Sequence, residues 1–127
     1  MLLVGTDLVE IDRIARAIEK EHFRRRVFGV QELAELEARG FPAQSAAVCF
    51  CAKEAFGKAI GVGLSGFALG EVQLLHSAAG QPYLSLSGRA EKLAEGVQFA
   101  VSAAHSKTCA TVVLVGEKKE PPRVVSL

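Results

Sequence analysis

The sequence predicts an α+β domain, a small and mostly antiparallel sheet packed against a central apolar helix with flanking helices. Three observations carry that prediction. From Ser45 to Ile60 the chain is almost wholly Ala, Val, Cys, Phe and Ile, apolar nearly all round as a buried helix is. Runs of period 2 open and close the chain, and runs of period 3.6 lie between them. The later apolar runs are joined by short turn signals that suit hairpins, which makes the sheet antiparallel.

Taken in order, Leu2 to Val9 is a strand that sets Leu3, Gly5 and Asp7 on one face and Leu2, Val4 and Thr6 on the other. From Glu10 to Lys20 the period becomes helical, with Ile11, Ile14, Ala15 and Ile18 as the buried stripe. Arg13, Arg16 and Lys20 lie opposite, with Arg24 in line if the helix continues. They read either as a solvated face or as a docking strip for an acidic partner. Phe23, Val27 and Phe28 anchor the basic cluster that follows. Gln31 to Arg39 is a second helix, with Leu33 and Leu36 inward and Glu32, Glu35 and Glu37 outward, ended by Gly40-Phe41-Pro42. The central helix starts near Gln44 or Ser45 and stops at Gly61-Val62-Gly63. Glu71–His76 and Tyr83–Leu86 form a hairpin across a turn at Ala79 to Pro82. A short helix from Ser87 to Glu95 and two strands, Val97–Ala104 and Cys109–Val115, complete the order. One domain over residues 1–116 and a polar tail over 117–127 result.

Composition excludes several classes. The formal net charge is +1, which advertises neither nucleic acid nor anionic membrane. The Arg24-Arg25-Arg26 cluster has no aromatics interleaved for base stacking. No apolar run reaches the length of about 18 residues that a membrane span needs. The start lacks a basic region ahead of an apolar core, so no signal peptide is expected. Three cysteines in apolar runs, Cys49, Cys51 and Cys109, suit reduced thiols in a cytoplasmic protein rather than a zinc site or disulfides.

The central helix carries three charges, Lys53, Glu54 and Lys58, where charge is costly unless paired or bound to an ion. Glu54 and Lys58 share a face at i, i+4 and read as an ordinary helix pair or as part of a binding site. Asp7 reads as a helix cap or as a ligand at a strand end. Asp7 and Glu54 together suit Mg²⁺, which takes one or two carboxylates and leaves its other positions to water and phosphates. His105, with Ser106 beside it at a strand end, fits a structural histidine or a contact to a phosphate oxygen. Gly61 and Gly63 permit close approach of a ligand to the backbone.

Gly5-Thr6-Asp7-Leu8-Val9-Glu10-Ile11-Asp12-Arg13 resembles the N-terminal signature of the holo-acyl-carrier-protein synthases, the small bacterial class of 4′-phosphopantetheinyl transferases. Their second signature is matched by the run from Phe50 to Gly63, with further matches at Gly80–Leu84 and Val101–Ser106. Order and spacing hold from about Val4 to Val115, nearly the whole chain. Cys49 and Cys51 depart from it, standing where the family more often has an arginine before the Phe and a small residue after it.

The resemblance implies the fold of that family and transfer of 4′-phosphopantetheine from coenzyme A to a serine of apo-acyl carrier protein, in fatty acid biosynthesis. Adenosine 3′,5′-bisphosphate would leave. It gives Asp7 and Glu54 to Mg²⁺, Lys58, Gly61 and Gly63 to the phosphates, and His105 and Ser106 to the nucleotide. Glu54, directly or through a water, is the candidate base. Arg13, and more loosely Arg16, Lys20 and Arg24, would dock the acidic carrier. The family is trimeric, with its site between neighbouring subunits. A non-catalytic module that binds coenzyme A or a carrier protein on the same fold is the other reading.

Overall fold

Alternation along Leu2–Glu10 makes the strand β1, whose faces are unequal: Gly5 and Val9 are buried, whereas Leu2, Val4 and Leu8 are exposed. The computed structural model describes residues 1–119. Four helices follow β1: α1 (Ile11–Ala17), α2 (Glu21–Val27), α3 (Val30–Ala38) and α4 (Ala43–Ile60). A 3₁₀ turn at Leu69–Glu71 leads into β2 (Val72–His76) and β3 (Pro82–Leu86). Then come α5 (Gly88–Leu93), β4 (Val97–His105) and β5 (Cys109–Lys118). The strands form two antiparallel sheets rather than one, β1-β5-β4 and β2-β3. Periodicity identifies strands but not partners, which is why the division was not visible in the sequence.

The helix expected over Glu10–Lys20 breaks after Ala17, and the basic cluster forms its own helix, α2. Packing explains the break. Phe23 is nine residues beyond Ile14, so a continuous helix would carry it about 180° away from the buried stripe. Once the chain turns, Phe23 meets Phe28 and Phe50, both with ring centroids at 6.2 Å. Arg24 leaves the strip for the same reason and lies over the Phe41 ring, 5.5 Å from its centroid.

α4 lies across β1 and β5 and supplies the centre of the core. Phe56 is fully buried, edge-on to Phe67 at 5.2 Å and tilted against Phe99 at 5.7 Å. The helix ends as its glycines dictate: Gly61 is left-handed (φ 89°), and the N–H groups of Gly61, Val62 and Gly63 all donate to Gly57 O at 2.9–3.0 Å. That closure leaves no space at Gly57, where a Cβ would stand 1.8 Å from Gly63 O. Gly57→Ala is expected to cost about 2 kcal/mol by forcing the two backbones apart, a loss of several degrees in a thermal melt.

Among the described residues nothing covers the outer face of the three-stranded sheet. Leu2, Val4 and Leu8 are 61–68% exposed, and Val113 and Val115 extend the same apolar surface. Glu117 and Lys118, expected in a polar tail, instead pair in β5 opposite Leu2 and Val97 respectively. The tail proper, with Pro121-Pro122, lies outside the described residues. No helix among the described residues is long and apolar enough to cross a membrane.

Candidate functional site

Gly5 is where β1 touches α4 most closely. A Cβ there would lie 1.9 Å from Ala55 O and 2.8 Å from Ala59 N, so only glycine admits this approach. Asp7 is two residues further along the same face of β1, while Glu54 and Lys58 precede the two alanines that Gly5 touches. A close backbone contact thus brings the first strand's carboxylate to the helix's carboxylate and ammonium. Asp7 is held from behind by Thr111, whose hydroxyl donates to Asp7 O at 2.8 Å. Asp7 is not a helix cap, because α1 begins at Ile11 and its N-cap, Glu10, makes no side-chain bond.

Lys58 Nζ donates to Asp7 Oδ1 at 2.9 Å, so the lysine reaches across to the strand. Of the two readings of Glu54 and Lys58, the ordinary i, i+4 pair gives way to this bond. It raises the Lys58 pKa, an effect due first to the hydrogen bond and then to the charge of Asp7. Asp7 Oδ2 is buried with no hydrogen-bond partner among the described residues. Burial first, then hydrogen bonding to Asp7 and repulsion from its charge, push the Glu54 carboxyl up to about 7 against the opposing pull of Arg13 and Lys58. Two neighbouring carboxyl groups, with one buried oxygen unpartnered among the described residues, gather negative charge that Lys58 only partly offsets. A divalent cation fits there. No three His, Cys, Asp or Glu converge among the described residues, so such a cation would take its remaining ligands from water and substrate, as Mg²⁺ does.

The other expected site residues divide into groups. Arg13 is exposed on α1 and close enough for Glu54 to feel its charge, which ties the basic face to the carboxylates. Arg16 and Lys20 are exposed beyond it, and Arg24 is set apart on α2. Gly61 and Gly63 leave open space around their Cα atoms, but their N–H groups are spent on Gly57 O. They offer a phosphate close approach rather than donors. His105 is not brought to Asp7: the two lie on strands separated by β5. It lines instead a cavity of about 240 Å³ with Arg39, Ser45, Cys49, His76 and Ala103. Ser106 closes the β4–β5 turn, its hydroxyl oxygen accepting from the N–H groups of Thr108 (3.2 Å) and Cys109 (3.1 Å).

Lys53 proves to be wholly buried. Its Nζ donates to Glu32 Oε1 at 2.6 Å and to Val72 O. Glu32, expected on the outer face of its helix, is equally buried and accepts from Leu74 N–H at 2.9 Å and Gly29 N–H at 3.2 Å. The one signal in the sequence was the charge itself, a lysine on a helix with no polar face. Glu71 has a local task, accepting from the N–H groups of Ala68 (2.9 Å) and Arg89 (3.1 Å), which lowers its pKa.

A model of the 4′-phosphopantetheinyl transferase superfamily matches residues 3–112. The chain is similar to the holo-[acyl-carrier-protein] synthase of Fusobacterium nucleatum, 35% identical over 116 residues that cover 88% of this chain and 95% of the relative. The enzyme of the same name from Clostridium beijerinckii is 39% identical over 117 residues, covering 90% and 95%. Among solved structures, holo-[acyl-carrier-protein] synthase from Neisseria meningitidis superposes with a TM-score of 0.83 at 30% identity, over 91% of this chain and 98% of its own. The Helicobacter pylori synthase, solved in complex with coenzyme A, gives 0.78 at 25% identity over 91% and 100%.

Proposed function

The chain belongs to the 4′-phosphopantetheinyl transferase superfamily, and we propose that it is an Mg²⁺-dependent holo-acyl-carrier-protein synthase. It transfers 4′-phosphopantetheine from coenzyme A to a serine hydroxyl of apo-acyl carrier protein, releases adenosine 3′,5′-bisphosphate, and so serves fatty acid biosynthesis. The observation that carries the reading is the Asp7–Glu54 pair, two carboxyl groups joined at the Gly5 contact with one buried oxygen unpartnered. Asp7 and Glu54 would hold Mg²⁺, which supplies positive charge against the coenzyme A diphosphate and the developing charge on the leaving nucleotide.

The chain's own groups do the rest. Lys58 is half exposed and bonded to Asp7, so it can turn its remaining N–H donors to a phosphate oxygen without leaving the site. Glu54 stands beside Asp7 in the site and is the base for the serine hydroxyl, directly or across a water. The proton moves from the serine oxygen to Glu54 as that oxygen bonds to phosphorus and the bond to the nucleotide's oxygen breaks. The strip of Arg13, Arg16 and Lys20 faces solvent beside the carboxylates, where an acidic carrier would bring its serine. Arg24, on its own helix, would reach such a carrier only at the margin.

A homotrimer with the site between subunits accounts for two further features. His105 and Ser106 would serve a neighbour's phosphates, since within one chain β5 separates them from Asp7. The apolar outer face of β1 and β5 would be covered. The buried thiols of Cys49 and Cys51, both raised in pKa chiefly by burial, suit the reducing cytoplasm.

Intact-mass analysis of an apo-carrier incubated with coenzyme A, Mg²⁺ and this protein tests the proposal. The carrier is expected to gain one phosphopantetheine group, and Asp7→Ala to abolish the gain. An unmodified carrier would sink the transferase, and an Asp7→Ala protein acting at wild-type rate would sink the metal assignment. Charge reversal in Arg13→Glu should raise KM for an acidic carrier about tenfold with a smaller change in kcat, and wild-type kcat/KM should fall as salt rises.

A further inference from the structure

We propose that the buried Glu32–Lys53 pair is a positioning device for Glu54, fixing the roll of α4 so that this carboxylate meets Asp7. The proposal rests on the reading of Asp7 and Glu54 as a metal site. Lys53 and Glu54 are consecutive on α4, so their side chains leave the helix about 100° apart. Glu54 turns toward β1, and Lys53 turns into the core, where neither it nor Glu32 has any exposed surface.

The pair is tied to everything around it. Lys53 Nζ, 5.7 Å from the centroid of the Phe28 ring, bonds Glu32 and Val72 O. Glu32 takes the N–H groups of Leu74 and Gly29, and its own N–H donates to Gln73 Oε1 at 2.9 Å. One residue of α4 is therefore bolted to α3 and β2, while Gly5 seats the helix against β1. Phe50 and Phe56 hold the helix in the core by apolar contacts that tolerate small rotations, and the directional bonds of Lys53 add a fixed angular reference opposite Gly5.

Stability alone does not account for such a pair. Replacing a buried ion pair by uncharged groups of similar size is often neutral or stabilising. Geometry does account for it. A carboxylate carried roughly 6 Å from the helix axis moves about 2 Å for a 20° roll. Metal–ligand distances tolerate about 0.2 Å, and a 1 Å misplacement of a reacting group costs about 10²-fold in rate. Lys53 and Glu32 touch neither substrate nor metal in this account. They act through Glu54.

The test is the double variant Lys53→Met/Glu32→Gln, with Asp7→Asn as reference. The glutamine keeps an acceptor for Leu74 N–H and removes the second charge together with the first. Thermal melts report folding, electron paramagnetic resonance with Mn²⁺ in the presence of coenzyme A reports the metal site, and steady-state transfer reports kcat and KM. The double variant is expected to melt within a few degrees of wild type, to bind Mn²⁺ at least fivefold more weakly, and to lose at least twentyfold in kcat at saturating metal. KM for the carrier should stay unchanged. A double variant that keeps wild-type Mn²⁺ affinity and kcat overturns the proposal. Should it not fold, Glu32→Asp decides by the same two quantities: it retains both charges but draws the anchor back by one methylene, and wild-type values in it are equally fatal. If Asp7→Asn binds Mn²⁺ as wild type does, the metal site itself has been misread, whatever the double variant shows.

Discussion

Glu54→Gln is expected to stop transfer and at the same time to raise the melting temperature of the metal-free protein. The activity loss follows from removing both a metal ligand and the base, and should reach at least 10³-fold in kcat/KM. The gain in stability follows from the position of Glu54 beside Asp7, which together with burial pushes its carboxyl from an ordinary 4.5 up to about 7. Below about pH 4.5 the group is protonated in both folded and unfolded chains and costs nothing. Between 4.5 and 7 the unfolded chain has released the proton while the folded chain keeps it, so stability falls as pH rises through that window. Above 7 the penalty is complete and constant. Glu54 is only partly buried, so screening discounts the penalty to on the order of 1 kcal/mol, worth a few degrees. Melts of wild type and Glu54→Gln at pH 4 and pH 8 in a chelator check this. The variant should match wild type at pH 4 and exceed it at pH 8, and Mg²⁺ should close the gap by stabilising wild type alone. A variant less stable than wild type at pH 8 would show that the two carboxyl groups do not strain each other.

The same residues show what was legible beforehand. Asp7, Glu54 and Lys58 stand in two continuous stretches, and alternation already placed Gly5 and Asp7 on one face. The cation nearest Asp7 was visible, although its bond runs to the strand rather than along the helix. Glu32 was placed outward with Glu35 and Glu37, opposite the inward Leu33 and Leu36, and helical period cannot show that a lysine 21 residues later arrives in the core to meet it. The break between α1 and α2 carries no glycine or proline, and only the need of Phe23 for Phe28 and Phe50 reveals it. Likewise His105 was readable as a strand-end histidine but not as one kept from Asp7 by an intervening strand. Local chemistry could be read along the chain, whereas contacts between distant segments could not.

Gly5→Ala is expected to damage the fold and the site together. The obstacle to the new Cβ is backbone, Ala55 O at 1.9 Å and Ala59 N at 2.8 Å, whereas ordinary contact begins at 3.4 Å. No rotamer change relieves it, and trimming the Ala55 side chain would not help. The strand and the helix must part by roughly 1.5 Å over their shared face, an overpacking that costs about 3 kcal/mol and ten degrees or more of melting temperature. The functional cost is separate from this. Asp7 moves with the strand, Glu54 and Lys58 stay with the helix, and a displacement above 1 Å between reacting groups is worth about 10²-fold in rate. Measured at a temperature where the variant is fully folded by circular dichroism, kcat should therefore fall by about that factor, and Mg²⁺ half-saturation should rise. Gly57→Ala is the control. Its clash is with Gly63 O at the end of α4, away from the strand, so it disturbs the phosphate end of the site but leaves the Gly5 contact in place, and Mg²⁺ half-saturation of its folded fraction should stay near wild type. If the two glycine variants lost activity only in proportion to the fraction unfolded, the close approach at Gly5 would matter to the fold and not to the site. The geometry predicts a difference because Gly5 lies two residues from Asp7, on the same face of the strand, against the residues that follow Glu54 and Lys58.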